Sequence, residues 1–440
     1  MIPVENESRF LTSLFAELNA AGVRYAVLRN AETLPFSLNG SDIDMLVAHD
    51  DILVVQDILR KTACSNGGEA ILAIKYPNFL QTEFLGKTDV GWWGCCIDLF
   101  DGYFIQAILP LVDSEIWKYQ HRTTQDIITL DPDVGAYIGY AKELLQNGVK
   151  SVRYREGAMN AVAHGKDDAI AERQCRELVN SALAGKDVGV RRFVFRWKLR
   201  MICSCPIESC SRLLRFSFAK AARLFSPCGR MIAVMGTDGA GKTSLLDAIL
   251  PVLRTMNHKA TVVHHLKPDL LPPLARFRGV KPVPGHVCTT PHASRPSGFA
   301  GSLVRISYLL SDYILGYWLK VRIRLAKTPA AFWIFDRYAY DILIDPRRFR
   351  IRLPRGIIKF FLFFVPRPDL VLCLGGDPQK IYARKPETSL EEVARQVKEL
   401  KVFCEGNRRA VWIDTTTTIE QSRDAALSAI LSAMSKRSEP

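Results

Sequence analysis

The stretch Gly236 to Thr243 reads GTDGAGKT, which matches G-x-x-x-x-G-K-[ST] and lies between the apolar run MIAVM and the helical pattern TSLLDAILPVL. No other feature of the chain constrains its folding as tightly. Gly236, Gly239 and Gly241 let the backbone wrap closely round an anion, with the N–H groups of a strand-to-helix turn directed at it. Lys242 then holds the outer phosphates of a polyphosphate as a point charge, and Thr243 ligates Mg²⁺. Ala240 inside the loop and Ser244 beside Thr243 complete the run expected to contact the nucleotide.

A loop of this kind needs a strand on one side and a helix on the other, and the rest of the C-terminal half repeats that alternation. MIAVMG, ATVVHHL, AFWIFD, LVLCLG and AVWID are short, mostly apolar runs, each followed by turn residues and helix-like sequence. Continuously apolar strands are those covered by helices on both faces, so residues 230–440 are expected to form an α/β domain with a doubly wound parallel sheet. There is no N-K-x-D sequence of the kind that selects guanine.

FWIFDRYAYD is a buried strand pattern ending in Asp336, Arg337 and Tyr338, and the stretch after PDLVLCLGGDPQ carries Arg384 and Lys385. With Asp238 inside the glycine loop, these features make the chain from about Met231 onward similar to the thymidylate kinase family of P-loop nucleoside monophosphate kinases. The resemblance implies an ATP- and Mg²⁺-dependent phosphotransferase acting on a small nucleotide or sugar-type acceptor. It places Asp238 near an acceptor hydroxyl, Asp336 near the metal or its waters, Arg337 between donor and acceptor phosphates, and Arg384, with Lys385, in a closing lid. Tyr338 is expected to pack. On the acceptor side the chain departs from the family. HHLKPD, residues 264–269, stands where an Arg-Glu-Pro-Gly-type sequence is usual, and LLSDYILGY carries Asp312 with Tyr313 after it. Lys267 is expected to replace one phosphate contact, while His264 and His265 read as structural.

The N-terminal half has a different grammar. Apolar spacing over residues 8–21 and 50–61 predicts helices, YAVLRN, IDMLVA and CIDLFD predict strands, and residues 137–184 read as mainly helical. In GSDIDMLV, Asp42 and Asp44 alternate on one strand, so both carboxylates face the same side. Two acids so close repel unless a cation stands between them, as in a two-metal site, and Asp98 in CIDLF is the candidate third ligand. Residues 1–185 resemble the nucleotidyltransferase superfamily, an α/β fold, with Gly40 and Ser41 as its Gly-Ser pair, here abutting Asp42 where the family sets it on a separate turn, and Arg29 expected to compensate for that departure in triphosphate binding. The resemblance implies metal-dependent nucleotidyl transfer. A turn with solvated acids, or a domain that binds without reacting, also fits the residues.

Between the halves, residues 186–229 carry much of the chain's net charge of +14. Ten Lys and Arg face one acid, Glu208, between Arg191 and Arg230, with Phe193, Phe195, Trp197, Phe216 and Phe218 interleaved. Two readings stand: a helical connector with its charges in water, or attachment to an anionic membrane surface. A second basic run, Arg347 to Arg367, has seven cations and no acid. No nucleic-acid recognition module accompanies either. LVRISYLLSDYILGYWL and GIIKFFLFFV are too interrupted or too short to span a bilayer and are expected to be core-facing helices. Eleven cysteines without regular spacing, the group Cys203, Cys205 and Cys210 included, suggest free thiols in a reducing cytoplasm. A nucleotide-gated scaffold with little turnover is the competing reading for the whole chain.

Overall fold

The computed structural model describes residues 4–76, 78–105, 108–227, 229–257, 261–272, 296–327 and 332–435. The tail after Ser435, whose sequence reads as disordered, and most of the proline-rich basic stretch 275–298, which reads either as a mobile loop over the acceptor pocket or as a disordered insertion, are outside these residues. The chain divides into two compact units, Met1–Ala222 and Arg223–Pro440.

The N-terminal unit contains strands β1 (Tyr25–Val27), β2 (Ile43–Val47), β3 (Gly68–Tyr76), β4 (Phe79–Lys87), β5 (Trp92–Phe100), β6 (Phe104–Ile105), β7 (Leu109–Pro110), β8 (Gln120–Arg122) and β9 (Ile128–Leu130). Seven of them form one mixed sheet in the order β3-β4-β5-β2-β1-β9-β8, in which β2 runs parallel to β5 and β1 parallel to β9. Alternate side chains of a strand serve opposite faces. Val27, Ile43, Met45 and Val47 pack with Phe10, Leu11 and Leu14 of the helix Val4–Ala20, while Ala26, Leu28 and Leu46 join the helical layer on the other side. That layer includes the helix Pro132–Asn147. It starts where the Asp131 carboxylate accepts from the N–H groups of Asp133 and Val134, with Pro132 in the first turn, and it stops at the left-handed Gly148. The basic segment forms the helices Val190–Ser204 and Pro206–Phe225. Val194 and Trp197 of the first are buried in the core of this unit.

The C-terminal unit has strands β10 (Arg230–Gly236), β11 (Val262–His265), β12 (Phe332–Asp336), β13 (Leu370–Gly375) and β14 (Ala410–Asp414). They make a fully parallel sheet in the order β11-β12-β10-β13-β14, each expected run supplying one strand. Met231, Ala233 and Met235 of β10 face the core containing Ile306, Leu310, Tyr313 and Leu362. Ile232 and Val234 are equally buried, so both sides of the sheet are covered and the chain is α/β in both halves.

The two long apolar runs form helices, Phe299–Gly316 and Arg355–Phe363, but neither is simply core-facing. Val304, Leu315, Trp318 and Leu319 of the first run are exposed, as are Phe360, Phe363 and Phe364 of the second. A helix apolar all round has no polar side to mark the water, so its sequence does not say which stripe is buried. Among the described residues no helix is long and apolar enough to cross a membrane.

Candidate active site

Strand β10 delivers the glycine loop from the centre of the parallel sheet. Gly239 and Gly241 have φ of 81° and 78°, left-handed values that glycine adopts without a Cβ penalty. A Cβ on Gly239 would stand 2.7 Å from the Ile381 carbonyl, so the chain after β13 presses directly on the loop. Lys242 opens the helix Lys242–Asn257 and is buried, its Nζ donating to the carbonyls of Gly236 at 2.9 Å and Thr237 at 2.7 Å. Burial, then the charge of Arg337, pulls its pKa down to about 8. Ala240 is buried, whereas Thr243 and Ser244 are exposed in the first turn.

Strand β12 lies beside β10 with Asp336 opposite Val234. The next residue, Arg337, takes φ of 76° and donates its N–H to the Val234 carbonyl at 2.9 Å. This turn sends the guanidinium back to the loop, where it donates to one Asp238 carboxylate oxygen. Arg348 donates to the other. Burial works against the ionised acid, but Arg337, Lys242 and Arg348 together hold Asp238 down at about 2. Arg337 also lies 3.6 Å from Asp341, whose complete burial pushes its carboxyl up to about 6 against the same cations.

Asp336 is held below its usual range, burial being outweighed by His265, at 3.3 Å through Nδ1, and by Lys242. Its other oxygen, Oδ1, and the Thr237 hydroxyl are buried and have no hydrogen-bond partner among the described residues. An acceptor oxygen and a hydroxyl left in this way beside a buried lysine, with Thr243 open at the helix start, fit a metal-bound polyphosphate.

Arg384 lies on the other flank, donating to the Thr415 carbonyl at 2.8 Å, with its NH1 3.9 Å from where a Cβ on Gly241 would stand. The cradle therefore gathers Asp238, Lys242, Asp336, Arg337 and Arg384. Lys385 is turned to Glu387 at 2.9 Å. Lys267, expected to meet a phosphate, is instead paired with the buried Asp312, which also accepts from the N–H groups of Leu270 and Leu271 at 2.8 and 3.1 Å. A lysine locked by a buried carboxylate shapes a turn and is not free for an acceptor. His264 stacks on Trp333, and the Tyr338 hydroxyl donates to the Pro366 carbonyl, so both pack. Sequence reasoning missed Arg348 and Asp341. Asp341 opens the short helix Asp341–Ile344 after the turn that contains Arg337, and Arg348 reaches Asp238 only through the fold, so neither pairing follows from local periodicity.

In the N-terminal unit Asp44 and Asp98 are register partners on the parallel strands β2 and β5. Arg29 donates to the buried Asp44 and, at 2.7 Å, to the Tyr154 hydroxyl oxygen. Burial, then Asp44 and Asp42, pushes Asp98 up to about 8. Glu83 on β4 is buried with both carboxylate oxygens lacking a hydrogen-bond partner among the described residues, and burial raises it well above its usual value. No group of three or more His, Cys, Asp or Glu among the described residues is placed to hold a metal ion. Of the expected Asp42–Asp44–Asp98 set, Asp44 and Asp98 stand side by side in register with Asp42 near enough to act on Asp98, and the cation at Asp44 is the Arg29 guanidinium. Gly40 and Ser41 close the turn before β2, Ser41 donating its N–H to Leu38. A cavity of about 260 Å³ beside Arg29 is lined by Asn30, His121, Arg153 and Tyr154 among others.

No protein-family model and no curated protein matches the chain. Among solved structures it is similar to a thymidylate kinase from Ehrlichia chaffeensis, at 14% identity and a TM-score of 0.31, over 46% of this chain and 97% of that one.

Proposed function

We propose that the C-terminal unit is an ATP-dependent phosphotransferase that moves a terminal phosphate to a small nucleotide- or sugar-type acceptor. The observation that carries this reading is the Arg337 guanidinium at Asp238, inside the glycine loop. Phosphoryl transfer asks a protein mainly for in-line positioning and for cations around the equatorial oxygens, with no side-chain nucleophile. Lys242 and the loop N–H groups would hold the donor's polyphosphate, and Thr243 and Asp336 are the residues that would hold its Mg²⁺. Bound Mg²⁺ would supply charge neutralisation and orientation of the phosphates. Arg337 and Arg348 exchange Asp238 for the acceptor's phosphate or hydroxyl environment, and Arg384 closes from the other flank. The bond from the donor's bridging oxygen to the terminal phosphorus breaks as the acceptor oxygen bonds to it, the bridging oxygen leaving on ADP and, where the acceptor is a hydroxyl, its proton passing to water.

For the N-terminal unit we infer a nucleotide- or sugar-binding role. Nucleotidyl transfer is the stronger variant of this reading, supported by Asp44 and Asp98 meeting in register. The test is an acceptor screen of nucleoside monophosphates, sugars and sugar phosphates with ATP and Mg²⁺, the product followed by ³¹P NMR. Acceptor-dependent ADP release that disappears in Lys242→Ala supports phosphotransfer. ATP binding with no acceptor-dependent turnover across the screen supports the scaffold reading instead.

A further inference from the structure

The helix Arg355–Phe363 carries apolar residues on two opposite stripes. Ile358 and Leu362 enter the core of the C-terminal unit, while Phe360, Phe363 and Phe364, at i, i+3 and i+4, are 63%, 67% and 55% exposed on the other side. The Phe364 ring touches both of the others, lying 5.4 Å from Phe360 and 5.5 Å from Phe363 between centroids, in both cases edge to face. Beside them opens a cavity of about 690 Å³, whose lining includes Lys359, Phe363, Arg367 and Arg408 and no carboxylate. Lys359, Arg367 and Arg408 are exposed and make no ion pair among the described residues, and Arg367 lies over the Phe363 ring at 5.8 Å. Pro368, Val371 and Arg409 bring the N-terminal ends of β13 and β14 to this cavity, the opposite end of the sheet from the glycine loop.

A contiguous aromatic patch on a soluble surface marks an interaction site. A cation rim without acids selects an anionic partner. We propose that this face of the C-terminal unit docks on an anionic lipid bilayer, Phe360, Phe363 and Phe364 entering the acyl boundary while Lys359, Arg367 and Arg408 meet headgroup phosphates. A second copy of the chain fits less well, because a symmetric contact would set the same unpaired cations against each other. Nucleic acid fits less well too, since the rings are packed together through Phe364 and do not stand apart as platforms for bases.

The test is co-flotation of the full-length protein with vesicles of phosphatidylcholine alone and of phosphatidylcholine mixed with phosphatidylglycerol. Binding is expected only with phosphatidylglycerol present, weakening by about tenfold or more in F360S/F363S/F364S and in K359E/R367E/R408E. Thermal melts check folding, and the charge-reversal variant, which alters exposed side chains only, decides the matter if the phenylalanine variant unfolds. Equal binding to both vesicles, or binding that survives both variants, overturns the proposal. So does loss confined to L214S/F218S, because the helix Pro206–Phe225 exposes Ile207, Leu214, Phe218 and Phe225 along one stripe and would then be the membrane contact. Retention of single-stranded RNA with the same dependence on these six residues would assign the face to nucleic acid, and a dimer lost in the phenylalanine variant would assign it to a second copy.

Discussion

Asp238 and Arg337, 99 positions apart in the chain, form an ion pair between the glycine loop and the turn after the neighbouring strand. Arg337 is buried and also faces Asp341, which is buried as well. Removing the guanidinium leaves Asp341 without its nearest counter-charge. Arg337→Ala is expected to lower the unfolding free energy by about 3 kcal/mol and phosphoryl transfer by about 100-fold or more. Urea denaturation and turnover on one preparation measure both, and a variant with full turnover would remove Arg337 from the chemistry.

Gly239 and Gly241 separate two costs of adding a side chain. Both need left-handed backbone, so either alanine costs about 1 to 2 kcal/mol on that ground. Only at position 239 does the new Cβ also meet a backbone carbonyl, that of Ile381 at 2.7 Å; at position 241 nothing is nearer than 3.9 Å. Gly239→Ala is therefore expected to melt at lower temperature than Gly241→Ala, with ATP binding weakened in both, as read by calorimetry.

Lys242 predicts a pH dependence. Its usual value of 10.5 falls to about 8 in the folded protein. Since the unfolded chain keeps its proton longer, this group's penalty on stability is complete below pH 8 and is relieved as the pH rises from 8 toward 10.5. ATP affinity follows the opposite course: a polyphosphate favours the ammonium, so the dissociation constant is expected to rise above pH 8. Titrations at pH 7 and pH 9 check this, and Lys242→Arg should flatten the slope.

Arg384 is exposed and donates a hydrogen bond to the Thr415 carbonyl, its one such bond among the described residues. Arg384→Ala is expected to change stability by less than about 1 kcal/mol yet lower turnover by about tenfold or more through lost phosphate neutralisation. Unchanged kcat and KM would confine Arg384 to a structural tie.

In the other unit, Arg29→Ala strips the buried Asp44 of its guanidinium, at an expected cost of about 3 kcal/mol. Adding Asp44→Asn removes the stranded charge, so the double variant should recover part of that loss. Additive losses in a double-mutant cycle would deny the coupling.

The parallel sheet and the glycine loop were legible because their signals are local: five apolar runs of strand length, and a pattern contained in Gly236 to Thr243. Arg337 was legible through the family resemblance that Asp336, Arg337 and Tyr338 carry after a strand pattern. Arg348 was not, since its approach to Asp238 spans 110 positions and leaves no periodic trace. The hairpin of β3 and β4 was also unread, because Lys75, Gln81 and Glu83 interrupt its apolar alternation. Nor could the residues around Asp44 reveal that a guanidinium would stand against it, since the register of β2 with β5 and the place of Arg29 both follow from tertiary pairing.

Strand β10 is bordered by β12 and β13, both of which follow it in the chain, and the helix it feeds packs against Ile419–Ser435. During synthesis the phosphate cradle thus emerges long before any of the partners that fix its shape. A nascent chain carries Lys242 out of the ribosome with only the loop's own carbonyls beside it, and the edges of β10 stay open to chaperones until β12 and β13 have followed.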